Sequence, residues 1–264
     1  MNRFKASLAG VAALFLASTA MPASAETVKN IVLVHGAWAD GSGWSRVYEI
    51  LSKKGFNVTM VQEPETSFAD DVAATRRILA LQDGPVILVA HSYGGSVATE
   101  AGVDPKVVGL VYVAAHAPAV GEDESALGAK MPSILSKIPG AIQKTADGFT
   151  YLAPETYLKH FAPDVPRPMA DVMAHAQVFA QAGVFATPLT AAAWTTKPSW
   201  GIVSGGDQII NPDLERWYYT RAKSHVTVVP GASHAVFASH PEVVAAVIED
   251  AARNAEASTT QAAR

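Results

Sequence analysis

Six short apolar runs punctuate the chain: Lys29–His35, Phe56–Val61, Val86–Ala90, Val107–Ala115, Ser199–Ser204 and Val226–Val229. They are runs rather than alternations of apolar and polar positions, which predicts strands buried on both faces, the habit of parallel sheets. Helical patterns lie between them. Trp44 to Lys54 is closed by Gly55 as a C-terminal cap. Ser67 to Gln82 carries Phe68, Val72, Ile78 and Leu79 on one side and Asp70, Asp71, Arg76 and Arg77 elsewhere. Asn211-Pro212 opens a helix to about Lys223, since proline suits the first helical position. Ser239-His240-Pro241-Glu242 reads as a capping box before a final helix to about Asn254. This alternation predicts an α/β fold: a mostly parallel sheet with helices on both faces.

Residues 117–195 break the rhythm. They hold eight of the sixteen prolines and only short helical pieces, such as Pro154–Phe161 and Met169–Gln181. The segment reads as a helical lid inserted over the carboxyl ends of the strands, where open α/β sheets place their ligands. The core is then residues 26–116 and 196–255, and the polar, alanine-rich 256–264 is expected to be a disordered tail.

Residues 1–25 have the pattern of an export signal: Arg3 and Lys5, an apolar stretch from Leu8 to Ala20 too short to span a bilayer, and the cleavage site Ala23-Ser24-Ala25. The expectation is export to the periplasm or medium, without a stable membrane anchor, with Glu26 as the first mature residue. Removing Arg3 and Lys5 takes the formal net charge from −4 to −6, and no basic run remains to suit nucleic acid. The absence of cysteine excludes thiol catalysis and cysteine metal sites. Nearly half the chain, 49%, is hydrophobic, enough for a substantial core.

The chemistry begins at Ala90-His91-Ser92-Tyr93-Gly94-Gly95. A buried strand, a sharp turn bearing one serine, then a helix is a nucleophile elbow, with Ala90 in the place of the usual first glycine. Small neighbours let the backbones approach, and the helix N-terminus favours developing negative charge. Serine needs a base and the base needs an orienting acid. His234 follows the last strand in Pro230-Gly231-Ala232-Ser233-His234-Ala235, and Asp207 ends the previous strand in Gly205-Gly206-Asp207. The order Ser92, Asp207, His234 suits this architecture. His116 is the second choice for the base, and Asp123 and Glu124 for the acid. Oxyanion donors are expected from the backbone N–H groups of Ala37 and Tyr93. Trp38, Phe161, Phe179 and Trp194 are the candidates for substrate contact, which favours an apolar or aromatic ligand. No cofactor or metal is called for, and homodimerisation is compatible with this reading.

The loop Val34-His35-Gly36-Ala37-Trp38, the elbow, the Gly-Gly-Asp turn and Ser233-His234-Ala235, in that order, resemble the α/β-hydrolase superfamily over the whole mature length. The spacing and small insertion are similar to the branch of bacterial carboxylesterases, plant methyl-salicylate esterases and hydroxynitrile lyases. That resemblance implies the fold, the roles of Ser92, Asp207 and His234, and hydrolysis of small to medium esters. It leaves three rivals: a cofactor-free haloperoxidase-like activity, a lyase, and a ligand-binding protein without turnover. The lyases carry threonine and lysine where this chain has Gly36 and Ala235. Superfamily dehalogenases use aspartate where this chain has Ser92.

Overall fold

The computed structural model describes residues 27–262, so the expected export signal lies outside the described residues. Six runs form strands, and all pair in parallel in the order β2-β1-β3-β4-β8-β9. In chain order, β1 is Asn30–Val34, α1 Ser45–Lys53, β2 Asn57–Met60, α2 Phe68–Ala80, β3 Val86–Ser92, α3 Gly94–Ala101 and β4 Val107–Ala115. The insertion contributes α4 Glu124–Lys130, β5 Ile142–Lys144, β6 Phe149–Leu152, α5 Pro154–Thr156, α6 Arg167–His175 and β7 Ala180–Gln181. The chain returns through β8 Ser199–Ser204, α7 Pro212–Arg221, β9 His225–Val229, α8 Val236–Ser239 and α9 Pro241–Ala262.

The order of strands dictates where the site lies. From β1 the chain steps one way to β2, then jumps back across β1 to β3 and continues outward. Right-handed crossovers therefore put α1 on one face and α2 and α3 on the other. The packing agrees, with α1 against α9 and α2 against α3. The reversal opens a crevice beyond the carboxyl ends of β1 and β3, the usual ligand position in open α/β sheets. Strand β3 sits between β1 and β4 and is buried along its length.

Several expectations need correction. The insertion is not simply helical: β5, β6 and β7 form a three-stranded antiparallel sheet. The helix expected over Met169–Gln181 ends at His175, and its last residues join β7. Ser239 does not cap the final helix. It closes α8, its hydroxyl meeting the Ala235 carbonyl and the His240 ring, while the His240 carbonyl accepts the first bonds of α9. The backbone of α9 runs to Ala262, beyond Asn254 and into the segment expected to be a disordered tail.

The tightest packing is at the turn after β3. A Cβ on Gly94 would lie 2.1 Å from the His35 carbonyl oxygen, and one on Gly95 2.2 Å from that of His116. Both contacts are with backbone, so neither neighbour can yield by a rotamer change. Gly94→Ala is expected to lower thermal stability by ~1–3 kcal/mol or more, the range for forced overpacking. Gly128→Ala, where a Cβ meets nothing within 4 Å on α4, should leave the melting temperature unchanged or raise it. Equal melting temperatures for both variants and the parent would refute the close approach.

Candidate active site

Ser92 ends β3 with φ +53°, a conformation that a serine adopts only where its surroundings impose it. The register with β4 shifts at the same point, pairing Ser92 with Ala115. The strained turn turns the hydroxyl toward His234, whose Nε2 accepts it at 2.9 Å. On the other side of the ring, Nδ1–H donates to Asp207 Oδ2 at 2.6 Å. This pairing assigns the tautomer, with the proton on Nδ1. Asp207 Oδ1 accepts from the backbone N–H groups of Ile209 and Ile210 at 2.7 and 2.9 Å. His234 is fully buried and Asp207 nearly so.

The His234 loop is braced from several directions. His91 Nε2–H donates to the His234 carbonyl at 3.0 Å. Ser233 donates through N–H and hydroxyl to Asp164 of the insertion at 2.9 and 2.5 Å. Phe161 sets its ring edge-on to the imidazole, 4.8 Å between centroids. The two residues expected to donate to an oxyanion flank Ser92. Tyr93 opens α3, and a Cβ on Gly36, the residue before Ala37, would lie 2.5 Å from Ser92 Cβ.

A cavity of about 430 Å³ opens from Ser92. Ala37, Trp38 and Tyr93 line it, with Phe185, Met131, Leu135 and Ile210 among its apolar walls. Trp38 belongs there as expected and donates from Nε1 to Thr150 of the insertion at 3.1 Å. The other three aromatic candidates are not at the cavity. Phe161 is core beside His234 and Tyr157, Phe179 is exposed and stacked on Tyr151, and Trp194 donates to the Pro118 carbonyl beneath the Arg221 guanidinium. The cavity's aromatic wall is Phe185, which packs on both Trp38 and Tyr93. Phe185 is one of seven aromatic residues spread through the insertion, and no periodicity singles it out in a segment of short turns.

The second-choice residues lie apart from the His234 ring. Asp123 caps α4, accepting from Ala126 N–H at 2.8 Å. Glu124 is buried, accepts from the Ser96 hydroxyl and lies 3.5 Å from His116. His35, Glu63 and Glu65 form the one group among the described residues with the composition of a metal site. Its proton pattern argues otherwise. His35 Nε2 accepts from the Glu63 N–H at 2.9 Å, so Nδ1, the atom facing the two carboxyl groups at 3.9 and 3.6 Å, carries a proton rather than a free lone pair. Burial raises both glutamates well above the ordinary range, which favours neutral acids there.

The buried titratable groups set a pH dependence of stability. Burial lowers His35, His91 and His116 from 6.5, the last to about 3, so their neutrality favours the fold increasingly up to about pH 6.5 and adds nothing beyond. Burial raises Glu124 from 4.5 to about 8. Its folded form keeps a proton that the unfolded chain has lost, so stability falls as pH rises toward 8. Urea midpoints should therefore drop between pH 6.5 and 8, and drop less steeply in Glu124→Gln. A midpoint rising over that interval would contradict the burial of these acids.

Residues 31–247 match the sequence pattern described as the Alpha/beta hydrolase family. A carbendazim hydrolyzing esterase from Nocardioides sp. (strain SG-4G) is 32% identical over 133 residues, 44% of this chain and 55% of that protein. The match thus spans about half the length of that curated relative. Among solved structures, a pyrethroid hydrolase superposes with a TM-score of 0.71 at 25% identity, over 86% of this chain and 98% of its own. Polyneuridine aldehyde esterase gives 0.71 at 17% identity, over 85% and 99%, a likeness of fold. With the family pattern running from the first strand into the last helix, the chain belongs to the Alpha/beta hydrolase family.

Proposed function

We propose that this chain is a serine ester hydrolase acting through an acyl-enzyme. The observation that carries the reading is the unbroken relay from the Ser92 hydroxyl to His234 Nε2, and from His234 Nδ1–H to Asp207. His234 takes the hydroxyl proton as Ser92 attacks the ester carbonyl, and Asp207 stabilises the imidazolium that forms. Charge develops on the carbonyl oxygen beside the N–H groups of Ala37 and Tyr93, which need no reorganisation to receive it. His234 then protonates the leaving alkoxide, and water repeats the sequence on the acyl-enzyme. The hydrolases and esterases among the relatives, by their names, support this reading.

The cavity supports small to medium apolar or aromatic esters. Its walls are mainly apolar, and no lysine or arginine is among its lining residues. Its volume lies in the range that takes a drug-sized molecule. Gly36 argues against the lyase alternative. Its missing side chain is what allows the loop to lie against Ser92, so a hydroxyl-bearing residue there would collide.

Ser92→Ala is expected to fold like the parent, lose ester turnover by several orders of magnitude and escape labelling by a fluorophosphonate probe. Asp207→Asn should reduce kcat by up to about 10⁴-fold, the magnitude found for the same change in a serine protease. Asp123→Asn, which touches only the α4 cap, should stay close to the parent. Equal labelling of Ser92→Ala and parent would place the nucleophile elsewhere.

Export to the periplasm or medium belongs to the same proposal and rests on Arg3, Lys5, the apolar stretch and Ala23-Ser24-Ala25. Intact-mass measurement of the exported protein should give a chain starting at Glu26. Recovery of a chain retaining Met1 in the membrane fraction would exclude it.

A further inference from the structure

One polar pair on the cavity wall has no part in the proposed ester chemistry. His116 follows β4, and its backbone N–H donates to the Ser92 carbonyl at 3.1 Å, which sets it one strand from the nucleophile. Glu124 enters from the first turn of α4. Both line the cavity. Glu124 Oε1 is occupied by the Ser96 hydroxyl. Its Oε2 stands 3.5 Å from His116 Nε2, too long for a good hydrogen bond.

The other ring nitrogen fixes the arrangement. His116 Nδ1 lies 3.2 Å from the Tyr218 hydroxyl, and if that hydroxyl donates, the ring proton sits on Nε2, facing Glu124. Burial holds His116 neutral, so the ring has one proton to place. Two polar atoms that can each give or take a hydrogen bond therefore stand 3.5 Å apart at a mainly apolar wall. Across a gap of this length a third polar atom is the usual bridge.

We infer that His116 and Glu124 form a subsite for a hydroxyl group carried by the substrate near the scissile ester. The hydroxyl bridges Glu124 Oε2 and His116 Nε2, accepting from the carboxyl while Glu124 keeps its proton and donating to it once ionised. A hydroxyl both gives and takes a hydrogen bond, so it also fits if the carboxyl holds the proton; an ether oxygen, which only accepts, fits only then. A substrate carboxylate is disfavoured, because the cavity lining offers it no lysine or arginine and places Glu124 beside it. The inference rests on the serine-esterase reading and names the kind of ester that suits it.

The test is a ratio within one preparation, which cancels any difference in folded fraction. Ethyl mandelate is compared with ethyl phenylacetate and ethyl methoxyphenylacetate, and ethyl 3-hydroxybutyrate with ethyl butyrate. In the parent, kcat/KM for a hydroxy ester should exceed that of its deoxy partner by about tenfold or more, since a site built around a hydroxyl rejects the analogue lacking it. The ratio should fall to within about twofold in His116→Phe and in Glu124→Leu. Glu124→Gln, which can still bond a hydroxyl, should keep part of it. No preference in the parent, a methoxy ester equal to the hydroxy ester above about pH 9, where Glu124 has lost its proton, or an unchanged ratio in both His116→Phe and Glu124→Leu overturns the subsite and leaves the esterase reading standing. If no ester is turned over, the esterase reading falls instead. Calorimetric binding of mandelamide against phenylacetamide then decides the subsite alone: tighter mandelamide binding that His116→Phe abolishes supports it, and equal binding refutes it.

Discussion

The catalytic edge depends on two backbone turns pressed together with no side chain between them. The loop after β1 and the turn after β3 touch at two points, Gly36 against Ser92 and Gly94 against the His35 carbonyl. A third contact wedges Gly95 against the His116 carbonyl from the β4 side. Held on both sides, Ser92 keeps a positive φ that costs roughly 1–3 kcal/mol in isolation. The fully buried β3 offsets that strain, because the strand cannot shift to relax it. The same contact brings the loop carrying Ala37 against Ser92, and both residues line the cavity with Tyr93. The backbone conformation of Ser92 and the approach of the Gly36 loop are thus one packing problem with one solution.

The interior near this edge is rich in acids, and they differ in the donors that reach them. Three N–H donors converge on Asp207: the imidazole and two backbone amides. Glu215, buried nearby, has the Ser204 amide on one oxygen and no partner on the other. Burial and the neighbouring Asp207 raise it well above the ordinary range. Glu63 has neither oxygen bonded, and burial raises it likewise. Asp207 thus differs from Glu63 and Glu215 in donor supply. The turn after Gly205-Gly206-Asp207 supplies two of those donors, the Ile209 and Ile210 amides.

That distinction also marks what could be read in advance. The parallel strands were legible because buried runs carry no alternation. Ser92, Asp207 and His234 were legible because each ends a strand in a turn of small residues. Ala90 stands where the common pattern has glycine, and the structure shows why this is tolerated: the demanding approaches are at Gly94 and Gly95, on the helix side of the serine. The insertion was not legible in the same way. Its strands are only two to four residues long, and their pairing in β5-β6-β7 is set by tertiary contact. An aromatic side chain there carries no sign of its direction, so the sequence favours Phe161, Phe179 and Trp194 for substrate contact, whereas Phe185 is the insertion's aromatic residue that lines the cavity.

The insertion does more than cover the crevice. Asp164 and Phe161 hold the His234 loop, while Thr150 anchors Trp38 and Phe185 walls the cavity. One segment therefore braces the His234 loop and shapes the pocket. Movement of the lid as a rigid body would displace the imidazole together with the wall, since the Ala235 amide is bonded to the Phe161 carbonyl. Substrate size and base alignment are mechanically coupled in this arrangement. A change in the β6 region that widens the pocket acts at Trp38, next to an oxyanion donor. One near Asp164 acts on the base, far from the pocket wall. The first kind should alter selectivity between esters, and the second should slow all esters alike, because only the first touches what the substrate touches.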